Sequence, residues 1–200
     1  MEETRTIDTR QAAALWLAEL AADVANYCDH SEHNEATSRE WVTNAARELR
    51  LAAFKLAEFD HVNIMDAYAA RLNQIETRNV LTSLREFDGA SAVRNARTWR
   101  DLQLVQIQHD RIYHPDVIGL HKMEQLRHYA LHLSKLAGAF ARRAMSERIH
   151  SEIVDRRLPD VLLFGLKLST VMSEKLPEDE FPETSRSRHA DAPKEVQPVA

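Results

Sequence analysis

Four glycines, six prolines and one cysteine among 200 residues leave little to interrupt helices and nothing to cross-link them. Only Pro115 and Pro159 precede residue 177, so the body of the chain is nearly free of breakers. The lone Cys28 excludes an internal disulfide and suits a reducing compartment. Between Tyr27 and Asp29 it lacks the electropositive setting that a reactive thiol needs, and it reads as a passive helix-end residue. Aromatic residues make up only 6% of the chain, and alanine, leucine, arginine and glutamate dominate, which points to an all-α protein. A large excess of one charge is also lacking. The net charge of −5 argues against strong whole-molecule attraction to nucleic acid or to anionic membrane, and leaves a local basic face open. No apolar run approaches the roughly 20 residues of a membrane-spanning helix. The polar start MEETRTIDTRQ does not have the pattern of a secretory signal. A cytoplasmic protein without a membrane partner is the expectation.

What is present is helical periodicity. A first helix is expected from about Thr9 to Cys28, burying Ala13, Leu15, Trp16, Leu20, Val24 and Tyr27. Thr37 and Glu40 have capping-box spacing ahead of a second helix that reaches about Phe59. Asn63 and Asp66 suggest the next start, with Ile64, Tyr68, Leu72 and Leu81 on its stripe and Asp88-Gly89 as its stop. A fourth helix is expected from Ala90 to about Asp110, closed by the turn YHPDVIGL, where Pro115 biases His114 away from helix. A fifth spans Leu120 to about Met145. A sixth runs from about Ser146 to Lys175, with Pro159 either kinking it or opening its second half. VLLFGLKL is apolar nearly all round, which places that helix at the centre of a bundle or in a dimer interface. The aromatics Trp16, Trp41, Trp99, Phe54 and Phe164 sit at core spacing, and Arg94, Arg97 and Arg100 form a row of the solvated kind. After Leu176 the chain turns Pro-rich and charged, and is read as a disordered tail.

Three pieces carry a resemblance: LQLVQIQHDR followed by a His-Pro turn, the small-residue patch in ALHLSKLAGAF, and LPDVLLFGLKL. Over about Asp101–Leu176 the chain resembles the all-α NTP pyrophosphohydrolase superfamily, the MazG-like fold. The first hundred residues lie outside the resemblance, and the expected bundle of about six helices divides into an N-terminal helical region (1–98), a MazG-like region (99–176) and the tail (177–200). In that family four acids, E-E-x-x-E on one helix and E-x-x-D on the next, hold Mg²⁺, which neutralises the polyphosphate and helps to generate the attacking hydroxide. The first motif falls here on Leu131-His132-Leu133-Ser134-Lys135 and the second on Arg157-Leu158-Pro159-Asp160, so only Asp160 survives. Lys135 and Arg157 put cations where the metal would sit. The resemblance therefore implies a catalytically degenerate member, a homodimer, that binds a nucleotide or other phosphate-bearing ligand through His132, Lys135, Arg157 and Asp160 without a metal or cofactor.

Other arrangements of the same residues remain open. Lys135 and Arg157 could pair with Asp160 as a purely structural cluster, and His121, His128, His132 and Lys135 gather on one side of the fifth helix as a half-exposed polar face. Arg127 and His132 fit R-x4-H and resemble the motif of HEPN-type ribonucleases, in which an Arg stabilises the phosphate and a His assists proton transfer without metal, on a nucleic-acid substrate. Glu152, Asp155 and Asp160 could form a displaced Mg²⁺ site that keeps pyrophosphohydrolase activity. Zinc on His128 and His132, with His121 or His114 as a third ligand, lacks thiolate partners and the H-E-x-x-H pattern, so core or surface histidines are the better account.

Overall fold

The computed structural model describes residues 9–33, 36–78, 87–145 and 153–181. They form eight α-helices: α1 (Arg10–Glu32), α2 (Arg39–Phe59), α3 (Ile64–Arg78), α4 (Gly89–Asn95), α5 (Trp99–Tyr113), α6 (Pro115–Ile118), α7 (Lys122–Ala144) and α8 (Leu158–Val171). A π-helical turn, Ile153–Arg157, leads into α8. The all-α bundle is as expected, with eight helices among the described residues where the sequence suggested about six.

The differences at α2, α5 and α8 have local causes. The expected fourth helix divides into α4 and α5 because Thr98 caps α5. Its hydroxyl accepts the Asp101 N–H (3.1 Å), and the Asp101 carboxylate accepts the Thr98 and Arg97 N–H groups (2.9 and 2.8 Å). Ser38, one residue past the expected Thr37, caps α2 by accepting from Glu40 N, whereas Asn63 caps α3 as expected. Pro159 opens α8 instead of kinking a longer helix. A proline in the first turn loses no intrahelical bond, and its ring crowds the carbonyl four residues back, which suits the wider turn that precedes it. The expected start at Ser146 and the contribution of Leu81 lie outside the described residues.

Long helices pack in pairs: α1 lies along α7 and α2, α2 lies along α8, and α8 also touches α3, α5 and α7. Residues 158–169 of α8 are all buried. This helix is central within the chain, so its apolar surface does not by itself call for a second copy. Leu15, expected in the core, is 71% exposed, because α1 turns Ala14, Trp16, Leu17, Leu20 and Val24 inward. No helix of the described residues is long and apolar enough to cross a membrane.

The chain after α8 is held at its start. Gln103 of α5 donates to Glu174 O (2.6 Å) and accepts from Leu176 N (3.1 Å). Arg100 N donates to Pro177 O (3.0 Å), and Thr98 bridges to Glu180. Phe181 completes an aromatic group with Phe54 and Trp99, whose ring centroids lie 5.3 Å apart. Residues 177–181 therefore pack against α5, where the sequence placed the beginning of a disordered tail. The remainder, 182–200, lies outside the described residues.

Candidate functional site

Where α5, α7 and α8 meet, the bundle interior is polar. Gln106, His109 and Asp110 of α5 are buried, and Lys167, the one cation in the apolar run of α8, reaches Asp110 Oδ1 at 2.8 Å. Gln106 donates to the same carboxylate (2.8 Å) and accepts from the Tyr68 hydroxyl of α3 (2.5 Å). The Lys167 ammonium also stands 5.8 and 5.9 Å from the ring centroids of Tyr129 and Phe164, within cation–π range. Burial is the largest influence on the Asp110 pKa and raises it, but Lys167, His109 and His114 together outweigh that cost and leave the carboxyl below its ordinary range. Burial and the nearby Asp110 charge push the Tyr68 and Tyr129 phenols upward, so both remain protonated hydrogen-bonding groups.

From this array Asp110, Tyr129 and Lys167 line a cleft of about 290 Å³. Asp110, Arg111, Lys122, Gln125, Tyr129 and Lys167 give it its polar lining. Arg111 and Lys122 are exposed and form no ion pair among the described residues, whereas Lys167 is buried and paired. Three cations and one carboxylate give the lining a positive balance at the small end of the usual range for ligand pockets.

The residues singled out from the sequence are arranged differently. Asp160 is buried and paired with Arg71 of α3, Nε to Oδ1 at 2.6 Å and Nη2 to Oδ2 at 3.4 Å. Its carboxyl pKa is raised by burial, against the lowering influence of Arg71, Arg156 and Arg157. Arg157 thus acts on Asp160 through its field, while Lys135 is exposed on α7 and acts on His128 and His132. The salt-bridge cluster considered for Lys135, Arg157 and Asp160 has Arg71 as its contacting cation. Of the displaced acids, Asp155 is exposed and Glu152 lies outside the described residues. Arg127 pairs with Glu32 of α1, whereas His132 stacks on Phe164 of α8 with ring centroids 5.1 Å apart. Five residues of helix separate their directions by about 140°, and the two side chains face different neighbours. Arg94 and Arg97 of the expected solvated row are exposed, whereas Arg100 is half-buried and donates to Gln103 Oε1 (2.6 Å). Cys28 is buried and its thiol pKa is raised chiefly by burial, in keeping with a passive residue.

The histidine face of α7 is half-exposed, as its spacing suggested, with His121 and Lys135 open to solvent. The rings of His128 and His132 lie 4.7 Å apart, and both are half-buried. Burial, then His128, Lys135, Lys167 and His114, lowers the His132 pKa to about 4. His114 is likewise lowered to about 4, mainly by burial and by Lys167. The unfolded chain binds a proton at His132 near pH 6.5 and the folded chain does not until about pH 4. This contribution to stability is therefore complete above pH 6.5 and is lost as pH falls toward 4. With allowance for partial exposure it amounts to about 1 kcal/mol, or about 2–4 °C in melting temperature. Between pH 7 and 4.5 the wild-type melting temperature should fall more steeply than that of His132→Leu. Parallel curves would show that the imidazole is not held neutral by the fold.

Sequence reasoning missed His109, Asp110, Lys167 and Arg71. Two signals were available. A single lysine inside VLLFGLKLS demands a buried partner, and Gln103, Gln106 and Asp110 recur at i, i+3 and i+7 on one face of α5. No model of a known protein family, no curated protein and no solved structure matches this chain.

Proposed function

We propose that this protein is a catalytically degenerate, MazG-like helical protein that binds a phosphate-bearing ligand of the nucleotide class in the cleft bounded by α5, α7 and α8. The supporting observation is the convergence of Arg111, Lys122 and Lys167 on one cleft whose only carboxylate among the described residues, Asp110, is already paired. Guanidinium and ammonium groups bind phosphate through charge-assisted hydrogen bonds, and the Tyr129 and Gln125 side chains add neutral ones. The cleft shifts the binding role away from His132, Lys135, Arg157 and Asp160. Hydrolysis by the four-acid Mg²⁺ mechanism is not part of the proposal. Of the acids that mechanism needs, Asp160 alone is retained, and Arg71 engages both its oxygens. A homodimer accompanies the proposal, with exposed Leu15 of α1 and Leu131 of α7 as apolar contacts on helices that pack together.

Calorimetric titration with nucleoside mono-, di- and triphosphates in EDTA tests the cleft. Binding should weaken at least tenfold, about 1.4 kcal/mol, in Arg111→Glu and in Lys122→Glu. Both side chains are exposed, so the melting temperature should hold. A panel without any binder removes the proposal, and pyrophosphate release with Mg²⁺ removes its non-hydrolytic part. Sedimentation at the mass of one chain at high concentration removes the dimer.

A further inference from the structure

His109 is completely buried, yet among the described residues neither of its ring nitrogens has a hydrogen-bond partner. Native structures rarely leave such a group unsatisfied without a reason. Its Nδ1 lies 3.9 Å from Asp110 Oδ1, and its Nε2 lies 3.9 Å from Glu76 Oε1 of α3. His114, at the non-helical C-cap of α5, turns a second imidazole toward the same place, with ring centroids 6.1 Å apart. One donor atom each from His109, Asp110 and His114 lies within 4.8 Å of the other two. We propose that His109, Asp110 and His114 bind one divalent transition-metal ion of the zinc class.

The donor set decides the ion. Two imidazoles and one carboxylate suit Zn²⁺, Co²⁺ or Ni²⁺, whereas Mg²⁺ and Ca²⁺ require oxygen. This is a different chemistry from the four-acid magnesium cage. At a metal–nitrogen bond of about 2 Å, a ring centroid lies roughly 3 Å from the ion, so two ligating rings are separated by about 5 Å in a tetrahedral site and about 6 Å when opposed. The observed 6.1 Å is at the outer edge of that span, and a modest rotation of half-buried His114 closes it. Metal-bound histidines usually donate their second N–H to an acceptor. Glu76 is in place for His109 Nε2, with its carboxylate fixed by the Gly89 N–H at 3.0 Å. Three protein ligands leave a coordination position for water or a ligand atom.

Two groups already engage Asp110 Oδ1, the Gln106 amide (2.8 Å) and, as the charged competitor, Lys167. Its ammonium occupies Asp110 Oδ1 at 2.8 Å, and a metal ion must share that carboxylate with it or displace it. Because Lys167 also lines the cleft, the ammonium can move toward solvent. Removing its charge should therefore tighten metal binding, the reverse of what loss of a structural contact would do.

The full-length chain, stripped with EDTA and kept free of phosphate, is titrated with Co²⁺ by visible absorption and with Zn²⁺ by calorimetry. This arm is independent of the anion-binding proposal. One equivalent per chain is expected. Binding should weaken about a hundredfold in His114→Ala and about tenfold in Glu76→Gln, and strengthen about tenfold in Lys167→Met. The chain has ten histidines, so His128→Ala and His132→Ala serve as controls and should bind as the wild type does. Far-UV circular dichroism checks folding, and a Zn²⁺-induced rise in melting temperature gives a second readout in any destabilised variant. Absence of stoichiometric binding, binding unchanged in His114→Ala, binding weakened in Lys167→Met, or loss in the controls overturns the site.

Discussion

Replacing Asp160 with alanine should destabilise the fold by about 3–5 kcal/mol, the largest effect expected of any single change at the positions discussed. Asp160 is the one acid that survives from the resemblance motif, yet its partner is Arg71, bonded to both carboxylate oxygens in the interior. Alanine would strand a buried guanidinium without its counter-charge. Burial raises the Asp160 pKa despite Arg71, so the pair does not fully recover the cost of leaving water. Removing both charges is consequently cheap: Arg71→Leu combined with Asp160→Leu should unfold within about 1 kcal/mol of wild type. Urea denaturation of the two singles and the double gives the cycle. A double variant as unstable as the sum of its singles would mean that the charges are not coupled. The cycle also bears on function, since lost activity in Asp160→Ala alone would be confounded by lost fold.

Gly165→Val should cost about 3 kcal/mol, while Gly138→Ala should stabilise by up to about 1 kcal/mol. Both glycines lie inside helices, α8 and α7, so propensity alone treats them alike. Their surroundings do not. A Cβ on Gly165 would meet Ala46 O and Arg50 N of α2 at 3.1 Å and Arg50 Cγ at 2.8 Å. The first two are backbone atoms, and the Arg50 guanidinium is bonded to Ser169, so neither can yield without separating α2 from α8. At Gly138 the nearest atom is the far end of the Arg142 side chain, at 3.6 Å. Thermal melts of the two variants should move in opposite directions. If Gly165→Val melts like the wild type, α2 and α8 are not in this close contact.

Much of the architecture was legible because helices announce themselves within a few residues. The α8 run read as central and is buried throughout 158–169. Asn63 was identified as a cap and serves as one. The division of α4 from α5 was written in Thr98-x-x-Asp101, a box overlooked because the apolar spacing continues across it. The candidate site was much harder to see. The histidines and Lys135 of α7 attracted attention because they share one helix, whereas the polar interior joins Tyr68, Gln106, Asp110 and Lys167 from three.

By itself the sequence determined the all-α class, several helix ends, the apolar character of α8 and the lack of the four-acid pattern, because periodicity and capping act over three or four residues. Tertiary structure alone decided that Asp160 is neutralised by a residue 89 positions away, that Lys167 meets Asp110, and that His109 lies buried between Glu76 and Asp110. Charge pairing and desolvation depend on which helices lie side by side, and no local pattern along the chain encodes that neighbourhood.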